Sequence, residues 1–94
     1  MSYLVVTLEA VPDRFRGYLA SVSTEVATGV FVSNQMTKGV RDRTFDVFDD
    51  WWDGRGRIIA IYEDKDAASR LGIRLWGHPK RKLVDIDGIL VVKH

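Results

Sequence analysis

The sequence predicts a two-layer α+β domain, and three observations carry that expectation. Two stretches of helical period alternate with short apolar runs rich in β-branched residues. No run is apolar for long enough to span a bilayer. The 94 residues, 46% hydrophobic and 29% charged, suffice for one core near the lower size limit of independent folding.

Tyr3 to Glu9 is too short for a helix and reads as a buried strand. Val11-Pro12-Asp13 opens a helix, since proline suits the first turn and an acid suits the positive end of the dipole. Phe15, Leu19, Val22 and Val26 then follow at helical spacing, which predicts one buried stripe ending at Ala27-Thr28-Gly29. Val30 to Val32 is a short strand that stops at Ser33-Asn34-Gln35. From Thr37, an N-cap residue, a longer helix carries Val40, Thr44, Val47, Phe48 and Trp51 on one face and closes at Asp53-Gly54. Arg57 to Tyr62 is apolar on both faces and reads as an interior strand, followed by the turn Glu63 to Asp66. Ile73 to Gly77 is a further strand. Leu83 to Val92 is the last strand or a pair of short strands, broken by Asp87-Gly88. The order is β-α-β-α-β-β-β with both helices on one face of the sheet. The nearest common fold is the ferredoxin-like plait, although only one clear strand stands between the helices where that fold has two. Residues 1–94 form one domain, with a C-terminal strand or tail at about 83–94, and the apolar Ile89-Leu90-Val91-Val92 predicts pairing with another chain.

The net charge of +1 conceals a segregation. Residues 46–66 hold seven acids against three bases, whereas residues 67–94 hold six bases against two acids. Asp46, Asp49, Asp50 and Asp53 read as the solvated face of the second helix. The absence of cysteine excludes disulfides, thiolate metal sites and a cysteine nucleophile together. His78 and His94 stand alone, without a second ligand at zinc spacing. No serine has a nucleophile-elbow context, and Gly54-Arg55-Gly56 is a loop, not a phosphate-binding fingerprint. The N-terminus lacks a basic region ahead of its apolar run, so a cytoplasmic location is expected.

Three basic groups suit contact with phosphates: Arg14 and Arg16 at the start of the first helix, Lys38 at the start of the second, and Lys80-Arg81-Lys82 in a loop. Such contacts carry no sequence information and predict binding that weakens steeply with salt. Glu9 ends an otherwise apolar strand. It is either a solvated acid paired with a base such as Arg14, or a carboxylate that meets its copy across a dimer axis and holds a divalent cation. Asp13 compensates the helix dipole.

Met1-Ser2-x-Leu4-Val5-Val6 with Glu9, Val11-Pro12-x-Arg14-x-Arg16-Gly17, Glu25-Val26-x-x-Gly29-Val30-Phe31-Val32 and Val84-Asp85-Ile86-Asp87-Gly88 together resemble the CRISPR-associated Cas-two family, type I-E subtype, nearly end to end. The resemblance implies a ferredoxin-like homodimer in CRISPR antiviral defence, bridging dimers of the Cas-one integrase during spacer acquisition. It implies that Arg14, Arg16, Lys38, Lys80 and Arg81 touch the phosphates of the protospacer duplex, and that the tail from Asp85 to Val92, including Asp87, Ile89 and Leu90, docks on the integrase. It also implies an acidic position at Glu9, associated in the wider family with metal-dependent nuclease activity on RNA or DNA. For this subtype an architectural role is implied, with Mg or Mn needed only if Glu9 is catalytic. Ala10 and Ala27 depart from the polar or basic residues this subtype places there, which implies a smaller set of DNA contacts. A regulatory RNA-binding domain is a third reading compatible with the same fold.

Overall fold

A computed structural model describes residues 2–77 throughout and residues 82–86 and 89–93 as strand backbone. The elements are β1 (Ser2–Glu9), α1 (Asp13–Val22), β2 (Thr24–Ala27), β3 (Val30–Met36), α2 (Lys38–Trp51), β4 (Arg57–Glu63), β5 (Leu71–Trp76), β6 (Lys82–Ile86) and β7 (Ile89–Lys93). Five strands form an antiparallel sheet in the order β2-β3-β1-β4-β5, while β6 and β7 pair as a separate hairpin. The β1-α1-β2-β3-α2-β4 portion has the ferredoxin-like connectivity, and β5 extends it beyond β4.

The expected element order holds, and the single strand expected between the helices is a hairpin. Helix α1 stops at Val22, where Ser23 turns extended and donates both its N–H (2.9 Å) and its hydroxyl (2.6 Å) to Leu19 O. Serine and threonine compete for the backbone in this way, and the β-branched alternation that follows favours a strand. Thr24 and Glu25 therefore pair with Val32 and Phe31. Val26, expected on the buried helical stripe, is instead 62% exposed on the outermost strand. The β2–β3 turn closes at Gly29, whose φ is +76° and whose Cβ, if it had one, would lie 2.6 Å from Leu8 O. Only glycine fits there.

Helix α2 begins at Thr37, whose hydroxyl accepts from the Val40 N–H at 3.2 Å. It buries Thr44, Phe45 and Phe48, while Val40 stays exposed. Phe15 and Leu19 of α1 meet Phe45 and Phe48 in one core with Leu4, Val6, Phe31, Ile58, Ala60 and Trp76, so both helices cover the same sheet face. Its centre is aromatic: Phe48 stands edge-on to Trp76 at 5.2 Å and to Phe15 at 5.6 Å between centroids. The other face carries two cross-strand rows, Val32–Val5–Ile61–Ile73 and Val30–Thr7–Ile59–Leu75. These side chains are half-buried and lie outside the core, and neither helix covers them.

Candidate nucleic-acid interface

The two arginines at the start of α1 stand two residues apart, about 200° around a helix, so they lean in different directions. Arg14 leans toward α2: its Nη2 donates to Trp51 O at 2.6 Å, and its guanidinium lies 5.5 Å from the Trp51 ring and 5.7 Å from the Phe15 ring. It thereby satisfies a carbonyl that the end of α2 leaves open. Arg16 leans toward the β2–β3 hairpin, where Nη1 bonds to Glu25 Oε2 and the guanidinium sits 5.9 Å from the Phe31 ring. The same Glu25 oxygen accepts the Gly29 N–H at 2.9 Å. That backbone bond first, and the Arg16 bond second, hold the Glu25 carboxyl below the usual carboxylate range.

Lys38 stands at the opposite end of the helical layer. It and Trp51, beside Arg14, are the two ends of the 14-residue α2, and at 1.5 Å per residue this spacing is about 20 Å. Arg41, which the sequence did not single out, joins Lys38 and Lys65 around a groove of about 690 Å³ whose lining also includes Tyr62 and the acids Glu63, Asp64 and Asp66. Arg41 lies 4.8 Å from the Tyr62 ring, and its Nη1 donates to Glu63 O at 3.3 Å. Arg14 with Arg16, and Lys38 with Arg41, are thus two pairs of bases at the two ends of one layer, the second pair standing among acids.

Glu9 closes β1 opposite Arg57 in the register, and Arg57 Nη2 stands 3.8 Å from its Oε1. Its cation is Arg57 and not Arg14, because β4 runs alongside while Arg14 turns to α2. After Glu9 the backbone enters the left-handed region at Ala10, φ +57°. Gly56, φ +77°, packs so closely that a Cβ there would come within 2.3 Å of Glu9 O. Among the described residues no three Asp, Glu or His side chains gather as metal ligands. Among the described residues a cation at Glu9 therefore has no cage, and the arginine beside it opposes one.

The acids of α2 divide. Asp46 and Asp50 are exposed, as is Asp42, and they share the outward face of the helix. Asp49 is not simply solvated: Oδ2 accepts from Arg74 Nη2 at 2.7 Å and Oδ1 from Trp76 Nε1 at 2.9 Å. Asp53 binds Arg55, whose side-chain bond lowers the Asp53 pKa. Lys80, Arg81 and Asp87 lie outside the described residues, as do His78 and His94. Asp85, Ile89 and Leu90 are described as strand backbone only, with Asp85 opposite Leu90 in the hairpin.

Fold and site together define a two-layer ferredoxin-like domain with basic side chains at both ends of its helical layer. Residues 3–91 match the family described as CRISPR-associated protein (Cas_Cas2CT1978), and the chain belongs to that family as a Cas2-type protein. No curated protein gave a significant match. Among the described residues no helix is long and apolar enough to cross a membrane.

Proposed function

We propose that the chain is a homodimeric adapter of CRISPR spacer acquisition, of the I-E type, which holds the protospacer duplex by its phosphates and bridges Cas-one integrase dimers. The observation that carries this reading is the placement of Arg14 with Arg16 and of Lys38 with Arg41 at two points about 20 Å apart. At about 3.4 Å per base-pair step that spacing is roughly six base pairs, so one duplex would meet both points. The sheet face that neither helix covers suits a second copy of the same chain, because its largely apolar rows run across four strands. Lys80 and Arg81 would add phosphate contacts, and the tail bearing Asp85, Asp87, Ile89 and Leu90 would dock on the integrase.

The experiment is duplex binding as a function of salt, for the wild type and an Arg14→Ala/Arg16→Ala variant, with Mg²⁺ present so that cleavage is visible. The adapter reading expects intact DNA, affinity that falls steeply with salt, and a slope reduced in the variant by about 0.9 for each phosphate no longer neutralised. The alternative is a metal-dependent endonuclease in which a dimer pairs its Glu9 carboxylates. DNA or RNA cleavage that requires Mg²⁺ or Mn²⁺ and is abolished by Glu9→Ala would put that alternative in place of the adapter.

A further inference from the structure

We infer that Glu25 is a positioning residue for phosphate binding: it holds the Arg16 guanidinium in one orientation at the start of α1, ready for a nucleic-acid phosphate. This rests on the reading of Arg16 as a phosphate contact and adds how that contact is made ready. Two groups fix the Arg16 head. Glu25 Oε2 takes Nη1, and the ring of Phe31, itself 1% exposed, lies beneath the guanidinium. Glu25 is in turn held by the Gly29 N–H at 2.9 Å, in a turn whose carbonyl accepts from the Leu8 N–H at 2.7 Å. The carboxylate is thereby tied through Gly29 to the central strand β1. Among the described residues the other N–H groups of Arg16 have no partner, and its side chain is 43% exposed. A guanidinium offers five donors in a rigid plane, so securing one edge on a carboxylate presents the rest in a set direction. An arginine already ordered loses less side-chain entropy when a phosphate arrives. Glu25 also lowers the local positive potential, so the opposite outcome, competition with phosphate, is a real rival that experiment separates.

The test is duplex binding at fixed salt for Glu25→Ala and Glu25→Gln, each alone and in an Arg16→Ala background. Side-chain ¹⁵N NMR of Arg16 in the free protein accompanies it. Glutamine keeps an acceptor for Arg16 and Gly29, so Glu25→Gln should bind within about twofold of the wild type. Glu25→Ala should bind roughly five- to tenfold more weakly, the scale of one charged hydrogen bond partly removed, and should be silent once Arg16 is alanine. Tighter binding by both variants would overturn the inference in favour of competition. An equal loss in the Arg16→Ala background would overturn it in favour of a hairpin-folding role. Should the wild type fail to bind DNA, the adapter reading falls, and the NMR still decides the positioning. Hindered guanidinium rotation in the wild type and Glu25→Gln that is freed in Glu25→Ala supports the inference, and free rotation in all three overturns it.

Discussion

The fold lowers the pKa of the Glu25 and Asp53 carboxyls, each through a backbone N–H and an arginine. Both are held below their unfolded values, so the stability they contribute is fully present above the ordinary carboxylate range. It is lost as pH falls through the lowered folded values. The thermal midpoint should therefore decline on acidification below about pH 4. Glu25→Gln and Asp53→Asn should flatten that decline, as differential scanning calorimetry across pH would show; an unchanged acid limb in both variants would contradict the contacts. At this scale the site was partly legible. Arg14, Arg16 and Lys38 announce themselves as basic residues at helix starts, but their partners do not. Had α1 run on to Ala27, Arg16 and Glu25, nine residues apart, would have faced opposite sides of one helix. The hairpin return is what joins them. Asp49 was hidden similarly, since its partners Arg74 and Trp76 lie on a strand 25 and 27 residues away.

Among the elements, those with one unambiguous period were legible and those with two were not. Ile58-Ile59-Ala60-Ile61 admits only an interior strand, and Thr44, Phe45 and Phe48 only a helix face. Val22-Ser23-Thr24-Glu25-Val26 satisfies both the helical spacing begun at Phe15 and a strand alternation, and backbone competition from Ser23 decides it. The loops at the β1 end are set by glycine. Gly56→Ala should lower stability by about 1–3 kcal/mol, for the left-handed backbone and the collision with Glu9 O and Ala10 O. Gly54→Ala is the control: its φ is +88° but nothing lies within 4 Å of its Cβ position, so it should cost only the backbone share, about 1 kcal/mol. Equal losses in urea unfolding would mean that the close approach of Gly56 does not matter.

For the whole molecule the sheet has two apolar faces and the helices cover one. A chain of 94 residues has little stability to spare, and covering the second face would supply more. If a second copy covers it, Ile61→Glu, which puts a charge in the middle of a four-residue row, should yield a folded monomer by sedimentation, because Ile61 lies outside the core. A dimer that survives the change would place its interface at the sheet edges or the β6–β7 hairpin. The double-sided apolarity of β4 was visible in the sequence; which side the helices take was not, since that depends on pairing between strands far apart in the chain.

If the chain holds DNA as proposed, the outward acids of α2, between bases at its two ends, also bear on how fast and in what posture the two meet. With a net charge of only +1, attraction at long range is weak, and the uneven distribution of charge dominates the approach. A polyanion drifting up to the middle of α2 would be repelled by Asp46 and Asp50, while one arriving at the Arg14 and Arg16 end would be drawn in. Encounters would then be sorted by orientation before any contact forms, so productive collisions would be a larger fraction of the total than the net charge implies. The association rate should then respond to ionic strength as it does for a far more basic protein.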